Sequence, residues 1–156
     1  MNKTLQLLAY ITKNHCRPSV TSLVKLSYLV DLINVQKNGI QISDFSYIRY
    51  YYGPYDEKIV TYLQELVDKQ VLKTDLDFSS SGEEYIVYFF NEKNEFSFPD
   101  LTEEDKKIVD QVLDNLKGYG AKTLTEIAYK TRPMKALQAT LGGNEHLGEK
   151  LDLTIK

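Results

Sequence analysis

Two histidines, His15 and His146, and one cysteine, Cys16, are the side chains best suited to hold a metal or to attack a carbonyl. A metal site needs several ligands at compatible spacing, and the adjacent His15-Cys16 pair lacks it. A thiol nucleophile needs a base and surroundings that lower its pKa. Nothing local activates Cys16, and His146 lies far along the chain. Glu103-Glu104-Asp105 cluster where carboxylates complement the positive end of a helix. Gly82 and Gly142-Gly143 are not followed by the Lys-Ser/Thr of a phosphate-cradling loop. No catalytic residue, metal site or cofactor is therefore expected.

What remains is binding chemistry. Lys25, Tyr28 and Asp31 recur every three residues, which sets an amine, a phenol and a carboxylate along one edge of a helix. A second concentration runs from Phe45 to Tyr55 and contains Tyr47, Tyr50, Tyr51, Tyr52 and Tyr55, five of the twelve tyrosines. Tyrosine joins a large apolar body to a hydroxyl that wants a partner, a combination common at binding surfaces. Successive strand residues face opposite ways, so five such rings do not all plug one core. Arg49 lies inside the run, either stacked on a ring or half exposed on a strand. Gly53-Pro54 ends it in a fixed bend, because Pro sets its own φ and pushes the preceding residue out of the helical region. A helix with Pro54 in its first turn is expected to follow.

These groups must be positioned by the elements around them. Leu5, Leu8 and Ile11 predict a short helix over Thr4–Asn14. A second, from about Thr21 to Asn38, carries the apolar stripe Leu23, Leu26, Val30 and Ile33, widened by Leu29, with Lys25, Tyr28 and Asp31 at its edge or on its far side. Gly39 stops it. A third spans Asp56–Lys69. Val71–Thr74 and Tyr85–Phe90, joined by Ser79-Ser80-Ser81-Gly82, read as a hairpin. Thr102–Lys117 reads as a helix capped by Thr102. Thr123-Leu124-Thr125-Glu126 has capping-box spacing and opens another, and Met134–Leu141 forms a last short one. The expectation is a mainly α fold with a small antiparallel β-hairpin at about residues 71–90, a compact helical bundle with a winged-helix-like arrangement. One domain covers residues 1–141. Residues 142–156 form a tail that adds an edge strand or stays mobile.

The chain of 156 residues carries a net charge of −3. Through Gln70 there are eight Lys/Arg against six Asp/Glu, and from Val71 onward eleven against sixteen, so +2 and −5 make up the total. Neither half is basic enough to announce nucleic-acid binding by charge. No apolar run is long enough to cross a bilayer. The start of the chain lacks a leader's apolar core, and a single cysteine rules out an internal disulfide. A cytoplasmic protein with no membrane partner is expected.

Lys25-Leu26-Ser27-Tyr28-Leu29-Val30-Asp31, followed by Ser46-Tyr47-Ile48-Arg49-Tyr50-Tyr51-Tyr52-Gly53-Pro54-Tyr55, resembles the two N-terminal signatures of the Panacea antitoxin domain. That family includes SocA-like antitoxins and phage-associated GepA-like proteins. The likeness runs from about Leu5 to Leu137 and ends with Leu124–Tyr129, where the family's His near Tyr129 and Trp near Met134 are missing. The resemblance implies a non-enzymatic antitoxin of a bacterial or prophage type II system, neutralising by direct binding a protein toxin encoded next door. Lys25, Tyr28, Asp31, Tyr47, Arg49, Tyr52, Gly53, Pro54 and Tyr55 match its motif positions. Each either touches the toxin or knits the second helix to the Gly-Pro bend in a shared core. Two other functions stay open. One is a winged-helix DNA-binding regulator, although Asp56, Glu57, Glu65 and Asp68 outnumber Lys58 and Lys69 on the third helix. The other is an adaptor that delivers a toxin to a cellular protease, with the tail after Gly143 as its tether. A homo-oligomer also stays open.

Overall fold

The second helix, α2 (Val20–Asn38), is the axis of the structure, a computed structural model that describes residues 2–156. Every residue from Ser22 to Asp31 is buried. A helix with one apolar stripe shows that face alone to a core. Here α1 (Lys3–Lys13), α3 (Lys58–Asp68), α4 (Glu103–Asn115) and α5 (Ala121–Tyr129) surround it, so its polar edge is enclosed as well. The expected stripe therefore describes only part of the helix. Leu23, Leu26 and Val30 are buried, whereas Ile33 is exposed, and Lys25, Tyr28 and Asp31 lie inside.

Local signals set most helix ends. The Ser19 hydroxyl accepts from the Ser22 N–H at 3.2 Å, and Gly39 closes α2 in a left-handed conformation (φ +78°) that side chains resist. Thr102 and Asp105 exchange side-chain and backbone hydrogen bonds, so Asp105 completes a capping box and does more than complement a dipole. Three expected starts are displaced, that of α3 by the hairpin before it. α5 opens at Ala121 on Gly120, not on Thr123, with no side-chain cap, and Thr125 donates back to the Ala121 carbonyl at 2.8 Å. The last helix, α6 (Arg132–Ala136), begins two residues earlier than expected because Pro133 fits its first turn.

Two separate two-stranded antiparallel hairpins complete the fold. The longer pairs β3 (Leu72–Phe78) with β4 (Glu84–Phe90), extending the expected strands toward the serine-rich tip. The shorter was not anticipated. It pairs β1 (Ile48–Tyr50) with β2 (Gly53–Tyr55) around Tyr51-Tyr52. Pro54 thus stands in a strand and not in the first turn of a helix, and α3 starts at Lys58, two residues after the expected Asp56. The register explains why this is tolerated. Pro54 lies opposite Arg49, whose N–H donates to the Glu149 carbonyl at 2.8 Å and whose carbonyl accepts from the Gly148 N–H at 2.7 Å. The Arg49 backbone faces away from β2, so Pro54 occupies a non-hydrogen-bonded pair where its missing N–H costs nothing. Tyr51 and Tyr52 have negative φ, and Gly53 supplies the left-handed residue (φ +98°) that lets the turn close.

The tail is docked. The Leu151 N–H donates to the Tyr47 carbonyl at 2.9 Å, Ile48 bridges Lys150, and Leu151 and Leu153 are buried in the core. Gln36 of α2 donates to the carbonyls of Leu153 and Ile155.

Candidate functional site

Asp31 is the first fixed point of the site. Its carboxylate accepts from the Ile42 N–H at 2.9 Å, the Ser43 N–H at 3.0 Å, the Ser43 hydroxyl at 2.5 Å and the Tyr47 hydroxyl at 2.6 Å. Burial pushes this carboxyl above its ordinary value, and the four donors oppose the rise. Burial also holds the Tyr47 phenol far above its usual range, so it remains a donor. Tyr47 meets Tyr28 edge to face at 5.3 Å, and the Tyr28 hydroxyl bonds Thr131 at 2.7 Å. One chain of contacts thus joins α2, the segment before β1 and the turn after α5.

Lys25 lies one turn earlier on α2. It is buried and directs Nζ at the Pro54 carbonyl, 3.0 Å away. Gly53 sits between its side chain and that of Tyr129, since a Cβ there would lie 3.5 Å from each. With no carboxylate bonded to it, burial pushes the amine down to about 7. The unfolded amine titrates near ~10.4. Between these values the folded chain binds fewer protons, so stability is expected to rise with pH from about 7 to 10, by at most ~1.4 kcal/mol per pH unit. Phenols held high by burial, such as Tyr28 at about 12, contribute stability present below pH ~10 and lost above it, so they leave this window clear. Urea midpoints at pH 7 and 9 should differ in the native chain, and Lys25→Met should remove the difference.

Arg49 is the second fixed point. Its guanidinium is fully buried, and its five hydrogen-bond partners are carbonyls and a phenol. Nε donates to the Glu145 carbonyl at 3.1 Å. Nη1 donates to the Tyr50 carbonyl and, at 2.8 Å, to the Tyr129 hydroxyl. Nη2 donates to the carbonyls of Thr140 at 3.0 Å and Gly143 at 2.9 Å. All five N–H groups are used, which only a planar fork can do in so small a space. The guanidinium carbon also lies 5.3 Å from the centre of the Tyr129 ring. Tyr129 passes the connection on, donating to the Tyr51 carbonyl at 3.1 Å.

The sequence-predicted residues therefore divide. Lys25, Tyr28, Asp31, Tyr47, Arg49, Gly53 and Pro54 are buried, and Tyr55 is half-buried. Tyr50, Tyr51 and Tyr52 are 42%, 52% and 66% exposed. Tyr50 stacks on Tyr55 at 5.0 Å and meets Tyr51 edge-on at 5.2 Å, so the tip of the β1–β2 hairpin is a raised aromatic cluster on a buried polar base. Sequence reasoning missed Ser43, Tyr129, Thr140 and Gly143. Gly143 had a signal in its Gly-Gly pair, and in the structure a Cβ there would collide with the Thr140 and Glu145 side chains. The Gly-Gly pair marks a close backbone approach as well as a break.

The conventional chemical side chains lie elsewhere. His15 and Cys16 line a cleft of about 790 Å³ between the α1–α2 connector, the β3–β4 hairpin and the α4–α5 loop. Burial holds His15 below its usual pKa, and Cys16 is exposed. His146 instead pairs with Glu149 at 2.7 Å in the tail. Among the described residues no three His, Cys, Asp or Glu side chains gather as a metal site, and no helix is long and apolar enough to cross a membrane.

The family comparison falls on this network. The family described as "Antitoxin SocA-like, Panacea domain" matches residues 23–133, which hold Lys25, Asp31, Arg49 and Tyr129 together. The chain belongs to the SocA-like Panacea family. No curated protein and no solved structure matches it. In this Panacea domain the first signature, on α2, and the second, ending in Tyr-Gly-Pro, touch through Lys25 with Pro54 and through Asp31 with Tyr47. The matched span stops at Pro133, so the carbonyls of Thr140, Gly143 and Glu145 that receive Arg49 lie beyond it.

Proposed function

We propose that this chain is the antitoxin of a bacterial or prophage type II toxin–antitoxin pair, and that it neutralises a cognate protein toxin encoded beside it by binding it directly, without catalysis. The observation that carries the reading is the exposed Tyr50-Tyr51-Tyr52 cluster on a turn whose base is fixed from beneath. Rigid aromatic groups lose little entropy on binding and are frequent anchors of protein interfaces. The buried motif residues then serve the surface indirectly, by holding the tip in one conformation.

Tyr51→Ser/Tyr52→Ser removes two rings that make no core contact, and should leave the melting temperature nearly unchanged. Binding to the purified product of the adjoining gene should weaken about 30-fold or more, and co-expression should no longer rescue growth. Unchanged binding with intact folding would remove the tip from the interface.

Two rival readings have less support. For a winged-helix DNA binder, α3 followed by β3–β4 has the right order. Yet Lys58 lies within 4 Å of Asp44 and Asp56, and Lys69 pairs with Glu65, which leaves little free positive charge on α3 for phosphates. For a protease adaptor, a free tail is wanted, whereas Leu151 and Leu153 are packed in the core.

A further inference from the structure

The β3–β4 hairpin holds apolar surface that the fold does not use. Antiparallel pairing puts Leu76 directly opposite Ile86 and Phe78 opposite Glu84, so Leu76, Ile86 and Phe78 share one face. Near the base that face is covered, where Leu72 and Phe90 are buried. Toward the tip it is open, with Leu76, Phe78 and Ile86 at 53%, 60% and 51% exposure. Three adjacent large apolar side chains on a projecting hairpin mark an interaction surface.

Its border and its edge say which kind of occupant fits. Glu84 lies on the same face beyond Ile86, with Glu83 beside it at the tip, whereas Asp75 and Asp77 turn to the opposite face, where Arg17 reaches Asp75 at 2.6 Å. The Tyr88 N–H donates outward to the Pro18 carbonyl, so the even-numbered residues of both strands point their backbone groups away from the partner strand. On the open β3 edge, two of those outward N–H groups are already taken. Leu76 N–H donates to the Asp75 carboxylate at 2.8 Å, and Phe78 N–H to Asp77 at 2.9 Å. Carboxylates thus take two of the donors that an added strand would need. A second copy laid on the same face would bring Glu84 against the like-charged rim of its mate, and an anionic lipid surface would be repelled in the same way.

We propose that the distal face of the β3–β4 hairpin is a second docking surface, for a protein partner that presents apolar side chains bordered by lysine and arginine. The inference rests on the antitoxin reading and names a surface and partner chemistry for it, separate from the tyrosine tip. Docking is face-on: the apolar trio provides the contact, and the acidic rim steers and orients the approach.

The test uses the full chain and the purified product of the adjoining gene. Leu76→Ser/Phe78→Ser/Ile86→Ser should keep the native melting temperature within a few degrees and weaken binding about 30-fold or more. Glu83→Lys/Glu84→Lys should slow association about 10-fold at low salt and flatten its salt dependence, with dissociation unchanged. Both results together support the surface. Native affinity in both folded variants overturns it while the antitoxin reading stands. If the native chain does not bind that product at all, the antitoxin reading and this surface fall together. A native dimer in sedimentation that the serine variant abolishes would also overturn it, by making a second copy the occupant.

Discussion

Replacing Arg49 with alanine should cost about 4 kcal/mol of folding stability and release the C-terminal segment before the rest of the domain unfolds. The substitution deletes five donors at once and leaves the carbonyls of Tyr50, Thr140, Gly143 and Glu145, with the Tyr129 hydroxyl, short of a partner. Each orphaned buried acceptor costs roughly 1–3 kcal/mol, offset in part because the guanidinium no longer has to be desolvated. A loss of that size is a large share of the roughly 5–15 kcal/mol typical of a domain. Arg49→Lys should recover little, since an ammonium offers three donors from one point and cannot span acceptors on both sides of a planar fork. Urea denaturation measures the loss. Hydrogen exchange locates it, because the Gly148 and Leu151 amides, bonded to Arg49 and Tyr47, should lose protection first. Equal protection of those amides in Arg49→Ala and native chains would show that the tail docks without the guanidinium.

Asp31→Ala should be of similar size, about 3–5 kcal/mol, for the opposite reason. Here an acceptor is lost and four donors are stranded: two backbone N–H groups and the hydroxyls of Ser43 and Tyr47. Asp31→Asn should cost less, because one oxygen remains, but its amide sets N–H groups against donors. Tyr47→Phe alone should cost about 1 kcal/mol. Combined with Asp31→Ala it should add almost nothing, since one stranded donor goes with it. A double-mutant cycle by thermal melting reads that coupling. Additive losses would show that the Tyr47–Asp31 bond contributes little. If the β1–β2 tip is the binding surface proposed above, each of these variants should also weaken binding of the adjoining gene's product without touching it, because the base that orients Tyr51 and Tyr52 would loosen.

How much of this was visible beforehand depends on the range of the interaction concerned. Periodicity, caps and breaks located the six helices of the described residues, with the starts of α3, α5 and α6 displaced, since Leu5, Leu8 and Ile11, the Ser19 hydroxyl, Gly39 and Thr102 act within one or two turns of themselves. The β3–β4 hairpin followed from a serine-rich turn between β-prone runs. Lys25, Asp31 and Arg49 stood out by type and spacing. Their surroundings were a different matter. Charged residues on a helix edge read as solvated, because a sequence shows the stripe of α2 but not the four helices that pack around it. The β1–β2 hairpin was hidden because Pro54 signals a break. Only the tail, by taking the backbone bonds on the far side of Arg49, puts Pro54 where no N–H is required. The sequence by itself determined the helices, the ends that Ser19, Gly39 and Thr102 set, and the identity of the polar residues, all properties of neighbours along the chain. Tertiary structure alone decided that Arg49 binds carbonyls some ninety residues away, that the motif's charges are buried, and that three tyrosines are left outside. The reason is that burial of a charge depends on which distant segments can meet all of its hydrogen bonds, and no local pattern records that.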